Sequence, residues 1–218
     1  MTVTDELVQN AERYAEDFDQ GDLPLPPARK VAIVACMDAR LDPYALLGLT
    51  EGDAHVIRNA GGAVTDDAIR SLAISQRLLG TEEIVLIHHT DCGMLTFGDE
   101  EFRGAVESET GIRPPWAAES FNDLDDDVRQ SIARIRASPF VPRRDDVRGF
   151  VYDVATGSLR EVEYPLRVVD VNADPSRGGT GPECGNSRSH SWRRRCSPPL
   201  PRPLPRPPAS RSRFPARS

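Results

Sequence analysis

Cys36-Met37-Asp38-Ala39-Arg40, followed about fifty residues on by His89-Thr90-Asp91-Cys92, holds the side chains of this chain best suited to chemistry. Two thiolates and an imidazole are borderline-soft donors, and that set suits Zn²⁺. Three protein donors leave a fourth coordination place for water or substrate, as a catalytic zinc needs. The His89-x-x-Cys92 spacing lets one loop wrap a single ion, so Cys36 must arrive from another strand. A split set of this kind differs from the paired Cys-x-x-Cys knuckles of structural zinc. Asp38 and Arg40 stand two apart, on one side of an extended segment, where they can pair beside the metal.

The elements needed to position these groups read as alternating strands and helices. Residues 31–35 are a continuous apolar run and predict a buried strand that delivers Cys36. Asp42 and Pro43 open a short helix that Gly48 stops. A second short strand over residues 55–58 leads into Asn59-Ala60-Gly61-Gly62. Thr65 or Asp66 caps a helix bearing Ile69, Leu72, Ala73, Gln76 and Leu79, and Gly80 ends it. A third strand, residues 83–87, ends at His88-His89. Helices over 99–109 and 122–137 follow, then a strand at 149–154, a turn at Thr156-Gly157 and a return strand at 159–162. This order predicts an α/β fold around a mostly parallel sheet flanked by helices. Both halves of the donor set fall at strand C-termini, where open parallel sheets place their ligands. Residues 5–18 repeat apolar groups with helical period after Thr4, either packing on their own domain or lying across a partner subunit.

Composition divides the chain in two. Residues 165–218 hold eleven arginines against three acidic residues, a net +8, which leaves −15 of the chain's −7 on residues 1–164. So acidic a body is no binder of phosphate backbones. The last 54 residues also contain 11 of the 19 prolines and show no periodicity, so they are predicted to be a disordered Pro/Arg/Ser-rich tail. A reading-frame change past Pro165 in GC-rich coding sequence also fits this composition. Tail residues Cys184, His190 and Cys196 have no recognised zinc spacing. No stretch approaches the ~18 apolar residues of a membrane span, and no secretory signal is visible at the N-terminus. The expected setting is cytoplasmic and reducing.

With Arg58-Asn59-Ala60-Gly61 lying between the two donor segments, the sequence resembles the β-class carbonic anhydrases, and their short prokaryotic branch in particular. That family carries Cys-x-Asp-x-Arg, Arg-Asn-Ala-Gly and His-x-x-Cys-Gly in this order, and the resemblance covers roughly residues 1–164. It implies one Zn²⁺ per subunit on Cys36, His89 and Cys92, with Asp38 and Arg40 as the dyad that orients zinc-bound hydroxide. It implies reversible hydration of CO₂ to bicarbonate and a proton, in a homodimer or higher oligomer whose N-terminal helix crosses to the partner. It implies a sheet of four parallel strands, often with a fifth antiparallel strand, here matched to 149–154. Hydrolysis of COS or CS₂ on the same scaffold is the neighbouring alternative, and a zinc-stabilised, non-enzymatic interaction module is a more distant one. Ile33 stands where the regulated subset of the family often has Trp, so no bicarbonate pocket of that kind is expected. Gly61-Gly62 lacks the spacing of a phosphate loop; it reads as a tight, closely packed turn or as lining of the substrate pocket. His88 adjoins His89 but points the other way on extended chain, and only His89 has the x-x-Cys spacing.

Overall fold

The computed structural model describes residues 1–164. Its elements run α1 (Val3–Glu16), β1 (Val31–Cys36), α2 (Pro43–Leu47), β2 (Ala54–Asn59), α3 (Asp66–Leu79), β3 (Glu83–His89), α4 (Asp99–Thr110), α5 (Leu124–Ala137), β4 (Val147–Tyr152) and β5 (Leu159–Val162). One-turn 3-10 helices at Ala60–Gly62 and Gly93–Leu95 follow β2 and β3. Among the described residues no helix is long and apolar enough to cross a membrane. The proposed tail, residues 165–218, lies outside the described residues.

The five strands form one sheet in the order β2-β1-β3-β4-β5. β1 pairs in parallel with β2 on one side and β3 on the other, with Ala35 opposite both Arg58 and Ile87. The chain therefore leaves β1 first toward one edge and later toward the other. Such a reversal opens a crevice at the strand C-termini, and Cys36 and His89 are the residues that end β1 and β3 there.

The match of 149–154 to the antiparallel strand is corrected by the pairing. β4 runs parallel to β3, while β5 is the antiparallel edge strand. The cause is the connections: β4 is reached through the long α5 crossover, which returns the chain in the same direction, and β5 through the tight turn at Thr156-Gly157. α1 begins two residues earlier than expected. Thr2, not Thr4, is the N-cap, because Asp5 at N3 accepts from the Thr2 main-chain N–H at 2.6 Å and completes a capping box.

Alternation along the strands divides the core between the two faces. Ala32 and Val34 of β1 and Ile84 and Leu86 of β3 pack against Leu72, Val128, Ile132 and Ile135 of α3 and α5. Ile33, Ala35 and Ile87 face the other way, toward Leu41, Met94 and Phe121 near the donor set. Each fully buried Leu or Ile stabilises the fold by roughly 1.5–3 kcal/mol. α5 lies so close to β4 that a Cβ on Gly149 would stand 2.2 Å from Val128 Cγ1, so glycine is required there.

Candidate metal centre

The rigid C-terminal ends of two neighbouring strands bring the donors together. Cys36, His89 and Cys92 are all buried, and one ligand atom from each lies within 4.8 Å of the other two. The two Sγ atoms are 4.0 Å apart. Cys92 reaches the cluster because Asp91 takes a left-handed conformation (φ 55°), which folds the chain back directly after β3. Gly62 backs the same corner. A Cβ there would sit 2.9 Å from Cys36 N and 3.2 Å from Ile87 O, and its φ of 71° is also one that glycine tolerates best. Gly61 is buried beneath Met94 and Phe121.

His89 is set up as a ligand by its own backbone. Nδ1 lies 2.8 Å from Thr90 O, and a carbonyl only accepts, so Nδ1 carries the proton. Nε2 is then a bare lone pair. It is buried, has no hydrogen-bond partner and belongs to the same donor cluster as the thiols. A buried acceptor left unmatched costs about 1–3 kcal/mol, which a cation would relieve. The thiols share their protons unequally. Cys36 is held below the ordinary thiol range, chiefly by the hydrogen bond from Cys92 and against desolvation. Cys92 is pushed up by the same bond and by burial. Two sulfurs and an imidazole nitrogen with its lone pair inward fit a thiophilic, tetrahedral divalent ion such as zinc.

Asp38 and Arg40 stand beside this cluster and form the pair that their spacing predicts. Arg40 donates from Nε to Oδ1 (3.0 Å) and from Nη2 to Oδ2 (2.8 Å), and its main-chain N–H adds a third bond to Oδ1 (2.8 Å). These bonds to Arg40 hold the Asp38 carboxyl well below the usual carboxylate range, so it is ionised at any working pH. Asp38 Oδ2 lies 3.6 Å from His89 Nε2, just outside hydrogen-bond distance. Arg40 also donates to the Asp91 carboxylate (2.7 Å) and to Asp91 O (3.0 Å), tying the loop after β1 to the loop after β3.

The other histidines among the described residues have other contacts. His88 is fully buried, with Nε2 2.6 Å from Asp127 Oδ2 and its ring against Phe121. His55 bonds Ser75 Oγ at 2.7 Å, and Ser75 in turn bonds Thr81. Asp91 both makes the turn after β3 and, through its bonds to Arg40, supports the site. Arg58 bonds the main chain of the Cys36–Asp38 segment, a role that no sequence spacing announces. An apolar cavity of about 520 Å³ opens beside Met94, bounded by Ala60, Ala63, Phe97, Phe102 and Trp116.

A parallel sheet with a Cys-His-Cys donor set at its reversal point and an Asp-Arg pair alongside defines a class of zinc enzyme. The carbonic anhydrase family model matches residues 31–159, and the chain belongs to that family, in its β class. It is 64% identical to Beta-carbonic anhydrase 1 of Mycobacterium tuberculosis over 162 residues, 74% of this chain and 99% of that protein. It is 34% identical over 187 residues to a carbon disulfide hydrolase of Saccharolobus solfataricus, covering 74% of this chain and 90% of that one. Among solved structures, the carbonic anhydrase of Streptococcus mutans superposes with a TM-score of 0.70 at 44% identity, over 75% of this chain and 99% of the other.

Proposed function

We propose that the protein catalyses the reversible hydration of CO₂ to bicarbonate and a proton, with one zinc ion per subunit on Cys36, His89 and Cys92. The observation that carries this is the convergence of those three donor atoms within 4.8 Å of one another, in a chain 64% identical to a β-carbonic anhydrase. Zinc bound there supplies the Lewis acidity that makes water a nucleophile near neutral pH. With the ion in place, the ionised Asp38 carboxylate beside the donors would accept a hydrogen bond from the activated water and orient it toward CO₂. Asp38 is suited to this because it is always ionised and can only accept. Arg40 fixes its orientation through two side-chain bonds and one main-chain bond. Gly62 lets the chain pass close under Cys36 and Gly61 packs beneath Met94 and Phe121, so the two shape the substrate pocket from behind.

The catalytic domain in this reading is residues 1–164, and the tail is not needed for the reaction. The working form is a homodimer or a higher homo-oligomer. Helix α1 supports this: none of its residues is buried, and Leu7, Val8 and Tyr14 are more than half exposed. An apolar stripe of that kind lacks a partner within its own subunit and fits a second copy of the chain. Cytoplasm is the compartment that keeps Cys36 and Cys92 reduced for the metal.

COS or CS₂ hydrolysis is the competing reading, since both substrates are small and linear and the curated relatives include carbon disulfide hydrolases. Those relatives are about half as similar as the mycobacterial one, which favours CO₂. Zinc analysis with stopped-flow CO₂ hydration, run beside a COS assay, decides between them. One zinc per chain and fast CO₂ turnover that a chelator abolishes and added zinc restores is the expected result. A zinc-loaded protein that turns over COS and not CO₂ overturns the assignment.

A further inference from the structure

Arg58 lies near the end of edge strand β2, and its guanidinium is placed unlike that of an ordinary surface arginine. Every hydrogen bond it donates among the described residues goes to a main-chain carbonyl of one turn. Nε and Nη2 bond Cys36 O at 3.1 and 2.9 Å, and Nη2 also reaches Asp38 O at 2.7 Å and Leu41 O at 2.8 Å. The next residue adds a fourth tie, with Met37 N–H donating to Asn59 O at 2.8 Å. The end of β2 therefore grips the turn that carries both the first donor, Cys36, and the carboxylate beside it.

Within this turn the main chain itself supplies Asp38 O with a bond from Leu41 N–H at 3.1 Å, and the Arg58 guanidinium adds the cross-strand ties that anchor the turn to β2. A planar guanidinium with donors in a fixed fork holds several carbonyls at once in one arrangement; a lysine ammonium on its flexible stem does not. The arrangement matters because Asp38 has little room for error. Its Oδ2 is 3.6 Å from His89 Nε2, so a small rotation of the turn would carry the carboxylate into the donor cluster or away from it. Displacements of about 1 Å at such a group cost on the order of 10²-fold in rate.

We propose that Arg58 is a positioning residue for the reaction: by bonding the carbonyls of Cys36, Asp38 and Leu41 it fixes the turn from which Asp38 addresses the metal. This rests on the CO₂-hydration reading above.

The test is Arg58→Lys in the full chain loaded with zinc. Zinc stays at one per chain, KM moves by less than about twofold and kcat falls roughly 10–100-fold. Adding Arg58→Lys to Asp38→Ala costs little more, because Arg58 acts through Asp38. Amide hydrogen exchange at residues 37–41 speeds up in the variant while the sheet stays protected. Unchanged kcat overturns the proposal. So does a loss that multiplies in full with Asp38→Ala, or zinc loss with unchanged turnover per bound zinc. Arg58→Gln, which keeps one amide donor group, is the second variant; failure of both to fold assigns Arg58 to the fold alone and also overturns it. A wild-type protein inactive on CO₂ defeats the activity reading separately, and the hydrogen-exchange comparison then still tests the turn.

Discussion

Arg40 Nη1 lies 2.7 Å from Asp91 Oδ2, although the two residues stand on loops that leave different strands. The same guanidinium grips Asp38 with Nε and Nη2. One arginine thus bridges the loop bearing Cys36 and the loop bearing His89 and Cys92, and the distance between the donors is held by a side chain as well as by the sheet.

Removing the outer half of that bridge should have a modest effect. The Asp91 side chain is 78% exposed, and exposed pairs contribute at most about 1 kcal/mol. Asp91→Ala should keep its zinc and lose about fivefold in kcat/KM, read by stopped-flow hydration with zinc analysis alongside. A loss above a hundredfold would show that Asp91 takes part more directly.

Asp38→Asn should keep zinc and lose about 10²–10³-fold in turnover. Arg40 holds the wild-type carboxylate ionised far below neutrality, so Asp38 itself does not titrate in the working range. The ratio of wild-type to variant rate should therefore be flat between about pH 6 and 9, while both rates rise with pH as zinc-promoted ionisation of water proceeds. A ratio that collapses at the acid end would contradict an always-ionised Asp38.

His55 makes stability depend on pH. Desolvation lowers its pKa in the folded chain, so the neutral ring is favoured there. Between that lowered value and the unfolded value near 6.5, the unfolded state binds more protons, and stability rises with pH across that window. Above about pH 7 this contribution is constant. Urea midpoints at about pH 5.5 and 7.5 should differ less in His55→Gln than in the wild type, once the other groups are cancelled by the comparison. An equal difference in both proteins would remove His55 from the account.

Leu7→Asp tests the role of α1. The side chain is 60% exposed within its own subunit, so the fold should be intact by circular dichroism. Burial of a leucine at an interface contributes about 1.5–3 kcal/mol, and the dimer dissociation constant should rise at least tenfold in sedimentation equilibrium. Unchanged assembly would place the interface elsewhere.

Truncation after Tyr164 should leave zinc content and CO₂ turnover within about twofold of the full chain, measured on the two proteins side by side. The 162-residue match to the mycobacterial relative spans 99% of that protein and supports the expectation. A tenfold loss on truncation would give the tail a part in the enzyme.

The sequence by itself determined the donor set, the alternation of strands and helices and most helix ends, because these rest on local rules. Residue type decides metal softness, Asp42-Pro43 and Gly48 bracket a short helix by their own dihedral preferences, and an apolar run such as 31–35 can only be buried. It did not determine which strand runs antiparallel, since direction depends on whether a crossover or a tight turn precedes the strand, and that is a property of the whole connection. Nor could it place Arg40 on Asp91 or Arg58 on the carbonyls of Cys36, Asp38 and Leu41, because those contacts join segments 17 to 51 residues apart. Only the side-by-side packing of β2, β1 and β3 brings them within reach, and the short range of a hydrogen bond makes that packing decisive.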